Sequence, residues 1–205
     1  MLTQALTSAV RILLFRAGPQ DFPFSDDPRL PRFCVAAALA ADFALYALGA
    51  PPLPALIAAL AVVATLAFYT RMLLRLRQLD NRAPQTVNAL LLSGALLTTL
   101  MLYPMSTLQP MTQAIMHLVE TNPELANDTA KLQALVAKTQ QENGGTAMSA
   151  VLLMLVVWQF AVMSHIFRNA LQIGLFGGIA VTLLCAFNLM VVQTVAGQFG
   201  AALGH

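Results

Sequence analysis

The stretch "FCVAAALAADFALYALGAPPLPALIAALAVVATLAFYTRMLL", residues 33–74, decides the fold. Asp42 and Arg71 are its only charged residues. It is long enough to cross a bilayer twice, because a hydrocarbon core of about 30 Å needs roughly 20 apolar residues as helix. In its middle, Gly49, Pro51, Pro52 and Pro54 stop one helix and restart the next within a few residues. Two spans, Phe33 to Ala50 and Leu53 to about Leu74, therefore form a tight hairpin.

Working outward, three more stretches have the same length and character: Val87 to Leu108, Ala147 to Phe167, and Leu171 to about Phe199. The whole chain of 205 residues is 58% hydrophobic and 10% charged, with a mean hydropathy of +0.71. An average soluble domain has roughly 25% charged residues. These features predict an all-α integral membrane protein with five transmembrane helices. The formal net charge of +2 is too small for nucleic-acid binding by bulk electrostatics, and no tract interleaves Lys or Arg with aromatics, so nucleic acid is not an expected partner. Cys34 and Cys185 fall inside apolar runs, where a thiol acts as a small hydrophobe.

Short cytoplasmic loops retain Lys and Arg, and here the asymmetry is complete. Arg11, Arg16, Arg29 and Arg32 precede the first span, Arg71, Arg75, Arg77 and Arg82 lie around the connection of the second and third, and Arg168 lies between the fourth and fifth. The connection between spans three and four instead carries Lys131 and Lys138 against Glu120, Glu124, Asp128 and Glu142. The expectation is a cytoplasmic N-terminus and an external C-terminus. The chain then divides into a cytoplasmic amphipathic helix and Pro-rich junction (1–32), spans one to three (33–108), an extracytoplasmic helical loop (109–146), and spans four and five with a short outer tail (147–205).

Leu2, Leu6, Val10, Leu13 and Leu14 recur at helical spacing, with Thr3, Gln4, Thr7, Ser8 and Arg11 between them. That pattern predicts an amphipathic helix lying in the membrane interface or folded against the bundle. Arg11 interrupts the short apolar core of "VRILLF", residues 10–15, and "RAGPQD" follows it in place of a small-residue cleavage site, so the segment is expected to be retained. The outer loop carries two helical patterns, Met111, Ile115, Leu118 and Val119 and then Leu125, Leu132, Leu135 and Val136. With Asn122–Pro123 as a helix start, they predict a helical hairpin over the outer face.

Asp42, near the middle of span one, is the sharpest single residue, because a carboxylate at that depth is paired, protonated or functional. Thr98, Thr99, Gln159 and Asn188 are the polar groups at matching depth, so a hydrogen-bonded layer is the plainer reading. A proton relay or substrate site centred on Asp42 is the sharper one, and a snorkelling group is the third. His117, His165 and His205 lie at different levels and cannot converge on a metal, Ser149 and His165 sit at opposite ends of span four, and no second intramembrane aspartate accompanies Asp42. Neither a catalytic residue nor a cofactor is expected. Gly174 and Gly178 are spaced for close helix packing, within the bundle or between copies. Arg16, Gly18, Pro19, Gln20, Asp21, Phe22, Pro23 and Phe24 form the Pro-rich junction. Its prolines stop the helix, its acids can meet nearby arginines and its aromatics can anchor at headgroup depth; the alternative is a cytoplasmic docking surface.

Five spans, an internal N-terminus and external C-terminus, Gly18–Pro19 within "FRAGPQDFP" (15–23) and Tyr103–Pro104 within "LYPMS" (102–106) together resemble the Yip family of small membrane proteins, in its bacterial branch. Eukaryotic members are linked to Rab GTPases and membrane traffic. For this chain the resemblance implies the fold and a multi-pass position in the bacterial cytoplasmic membrane. The expected function is that of a non-enzymatic scaffold or accessory subunit, with the lipid bilayer and a membrane-protein partner or second copy as its contacts. A small transporter or lipid-handling protein using Asp42 is the alternative.

Overall fold

The computed structural model describes residues 1–24, 27–121, 133–134, 136 and 145–203. Helix α1 covers Leu2–Leu13, α2 Arg29–Ala47, α3 Pro52–Leu76, α4 Ala83–Thr121, α5 Gly145–Leu171 and α6 Leu175–Leu203, with short 3-10 turns at Pro19–Asp21 and Asp80–Arg82. No strand occurs among the described residues. Five of these helices are long and apolar enough to cross a membrane, the architecture of a multi-pass membrane protein.

Most helix limits differ by a few residues from those read off the sequence, and at two of them a proline lies inside the added helix. The first span begins at Arg29, taking Pro31 into its first turn, where the missing N–H is not needed. The third runs unbroken past Leu108 to Thr121 with Pro104 and Pro110 inside it. Prolines are tolerated in long apolar helices whose freed backbone groups find other partners. Around these positions the hydroxyls of Ser106 and Thr107 both donate to the Tyr103 carbonyl, at 2.9 and 3.0 Å. The first half of the loop between spans three and four is thus a projecting end of α4 and not the separate arm of a hairpin. Asn122, Pro123, Leu125, Leu132 and Leu135 of the second half lie outside the described residues, as do Asp26 and His205.

Helix α4 is the centre. Buried residues make up 67% of an apolar stretch of 18 residues in it, against 17 to 39% for the corresponding stretch of each of the other four. Val87, Ala89, Leu90, Leu91, Leu92, Leu97 and Met101 are all buried, so the helix buries apolar residues on every side, with Thr86, Asn88, Ser93 and Thr98 buried among them. It packs against α2, α3 and α5, and α1 covers part of its remaining side together with α5. Helix α6 closes the bundle against α3 and α5. The alternation of the five spans gathers Arg29, Arg71, Arg75, Arg82 and Arg168 at one end, which we call the basic end.

Helices α1, α3 and α5 all end in the same way. Phe15, Gln78 and Gln172 have φ of 56°, 56° and 53°, a left-handed conformation that usually falls to glycine. The following amide in each case reaches back five residues: Arg16 N–H to Arg11 at 2.8 Å, Leu79 N–H to Leu74 at 2.8 Å, and Ile173 N–H to Arg168 at 3.1 Å. These closures let the chain reverse at once.

Candidate functional site

The polar residues at mid-depth separate into a group that meets and a group that does not. The Thr98 hydroxyl donates to Asp42 Oδ1 at 3.3 Å, joining α4 to α2. Gln159 of α5 lines the same cavity of about 60 Å³, with Val63 of α3 and Leu189 of α6 as apolar walls. That is room for a few waters and nothing larger. Thr99, one residue on from Thr98, is turned about 100° around the helix. It is exposed and donates to its own Ala95 carbonyl at 2.8 Å. Asn188 is also exposed and donates to Leu184 in its own helix at 2.7 Å. One turn beyond Asp42, the Gln193 amide donates to the Tyr46 hydroxyl at 2.6 Å, a link between α6 and α2 that no depth matching had singled out.

The junction is fastened to the bundle through its main chain. The Trp158 indole N–H donates to the Leu13 carbonyl at 2.9 Å. His165 Nε2 lies 3.0 Å from the Ala17 carbonyl, which only a ring protonated at Nε2 can satisfy. The Gln85 amide donates to the Phe22 carbonyl at 2.9 Å. Within the segment, Gly18 N–H donates to Asp21 Oδ2 at 2.8 Å, the Ser8 hydroxyl donates to the Asp21 carbonyl at 3.2 Å, and Pro19 opens the 3-10 turn. Phe15 stands edge-on to the His165 ring, with centroids 5.4 Å apart. In consequence Ala17, Gly18, Pro19 and Phe22 are buried, Pro23 is half-buried, and Arg16, Gln20, Asp21 and Phe24 face outward.

Helix α1 meets the bundle with Ala5, Ala9, Ile12 and Leu13, all buried, and turns Leu2, Leu6, Val10 and Leu14 away from it. Leu13 belonged to the same apolar stripe in the sequence but lies on the inner side. Trp158 is thirteen residues from the basic end of α5, roughly 20 Å along the axis at 1.5 Å per residue. The C-terminal end of α1 is therefore held far along α5.

Gly178 is a true close approach. A Cβ there would stand 2.8 Å from the Ser164 carbonyl oxygen and 3.0 Å from Arg168 Cβ, so α5 and α6 touch within one chain. Gly174 has open space around it. At the opposite end, a cavity of about 700 Å³ lies between the α2–α3 turn and α6, lined by Tyr46, Pro51, Leu53, Pro54, Gln193 and Gly197 among others. Among the described residues, no three His, Cys, Asp or Glu side chains converge as a metal site would. Compared with family models, with curated proteins and with solved structures, the chain matches none.

Proposed function

We propose that the chain is a non-enzymatic scaffold or accessory subunit of a membrane assembly, in the bacterial cytoplasmic membrane with its N-terminus cytoplasmic and its C-terminus periplasmic. The observation that carries this reading is the fastening of residues 13–22 by Trp158, His165 and Gln85. A segment held by its backbone presents its outward side chains in a fixed arrangement, here Arg16, Gln20 and Phe24, and pre-ordered groups bind without a large ordering cost. In the same reading α1 is an amphipathic helix that enters from the membrane interface along the flank of α5, with Leu2, Leu6, Val10 and Leu14 against lipid. The Yip-family resemblance belongs to this proposal; the Gly18–Pro19 element supports it by forming a local turn closed by Asp21.

The alternative, a transporter or lipid-handling protein in which Asp42 acts, has the Asp42–Thr98–Gln159 cavity in its favour. The small volume of that cavity fits a structural layer better. Affinity purification in mild detergent separates the two. Removing residues 1–24 would take Ile12 and Phe22 out of the core, so surface replacements Arg16→Ala, Gln20→Ala and Phe24→Ala are the proper variants. A stoichiometric partner should co-purify with the parent chain and with Asp42→Asn, and be lost from the triple variant. A chain that purifies alone, and whose Asp42→Asn variant loses solute or lipid flux in liposomes, would contradict the scaffold reading.

A further inference from the structure

Where α3 leaves the bundle, the chain folds back through the turn at Asp80–Arg82, and the two walls flank an open groove of about 490 Å³ lined by Phe68, Arg71, Met72, Arg75, Asp80 and Ala83. Arg71 and Arg75 are four residues apart and so share one side of α3. Phe68, one turn before Arg71, extends the groove toward the middle of the span, and Met72 stands between the two arginines, with 70 and 40% of their surface exposed. Among the described residues, no hydrogen bond or ion pair joins either guanidinium to a side chain or carbonyl, Asp80 included. Two cations in the last turns of a membrane-length helix stand at headgroup depth, where lipid phosphates are the nearest counter-charge. The guanidinium fork matches the oxygens of a phosphate.

We propose that this groove binds an aminophospholipid, one whose headgroup carries a phosphodiester and a primary ammonium. The phosphodiester lies between Arg71 and Arg75, the ammonium meets Asp80, and an acyl chain runs along Phe68 and Met72. All three charged groups of the groove are then matched. A purely anionic headgroup would leave the Asp80 carboxylate facing like charge, and a quaternary ammonium would offer it no hydrogen bond. The apolar wall accounts for the lipid in preference to a free phosphate ester. This assignment is independent of the scaffold reading.

The test is lipid retention by the full chain, purified, delipidated and titrated with phosphatidylethanolamine, phosphatidylglycerol or phosphatidylcholine, with bound lipid counted by native mass spectrometry. Arg71 and Arg75 are exposed, so Arg71→Gln/Arg75→Gln should elute as the folded parent does. The parent should prefer phosphatidylethanolamine by roughly two- to fivefold, the worth of one exposed ion pair. The double variant should lose about fivefold per arginine for all three lipids. Asp80→Asn should abolish the preference and raise phosphatidylglycerol binding. An unchanged preference in Asp80→Asn, undiminished binding in the double variant, or displacement of the lipid by O-phosphoethanolamine at equal concentration would each overturn the proposal.

Discussion

From the middle of α5 down to the basic end, the carbonyls of Leu13, Ala17 and Phe22 are held by side chains of α4 and α5, and α1, α3 and α5 close with backward hydrogen bonds. At the opposite end, the α2–α3 turn and α6 stand around a cavity of about 700 Å³ bridged by the bond from Gln193 to Tyr46. The same chain thus invests its polar groups unevenly. Inside a bilayer each backbone group needs a partner, so an extended segment can be held against a span only where side chains are supplied to receive it. Residues 13–22 have such side chains, and the opposite end relies on helix ends that satisfy themselves.

The strongest way to break that contrast is at Trp158. Trp158→Ala removes both the indole packing and its hydrogen bond to Leu13, and should lower stability by about 3 kcal/mol, in the range of large-to-small core changes. It should also make the N-terminal segment sensitive to protease in detergent, whereas Gln193→Ala at the opposite end should not. Glycines sharpen the same contrast. Gly178→Val drives a side chain into the Ser164 carbonyl and should cost about 2 kcal/mol in thermal unfolding. Gly197→Ala meets nothing within 4 Å and should instead stabilise by up to about 1 kcal/mol through helix propensity.

Gln78→Gly tests the helix closures at the basic end. It relieves a left-handed non-glycine residue and should raise stability by about 1 kcal/mol. The smallest expected effect is at mid-depth. Thr98→Val should cost about 0.6 kcal/mol, the average for a hydrogen bond between membrane helices, and Asp42→Asn less than that because the amide oxygen still accepts from Thr98. A loss of several kcal/mol in Asp42→Asn would mean that the carboxylate has a role the geometry does not give it.

The five spans were legible because crossing a bilayer demands length and apolarity, which composition displays directly. Their limits were less so, since Pro31 and Pro110 fell outside the spans as read but sit within helices. The face of α1 was the harder matter. In water an apolar stripe marks the protein core, but beside lipid the large apolar side chains can face outward while small ones permit close packing. Ala5 and Ala9 point inward, and Leu2, Leu6 and Val10 point away, so the stripe was visible and its direction was not. At mid-depth, matching levels brought Asp42, Thr98 and Gln159 into one list, but depth carries no information on rotation. Thr99 and Asn188 share the level and face elsewhere. The partners of Leu13, Ala17 and Phe22 had no signature, because a carbonyl acceptor looks the same at every position.

The central claim is that the N-terminal segment forms part of the bundle wall and reaches into the membrane along α5. A nitroxide at Leu14, which is exposed beside the Trp158 contact, tests it most directly by electron paramagnetic resonance in lipid nanodiscs. The expected result is strong relaxation by oxygen and weak relaxation by a water-soluble nickel chelate, like a label at Val157 of α5. Relaxation dominated by the nickel chelate, like a label at Arg77, would contradict it.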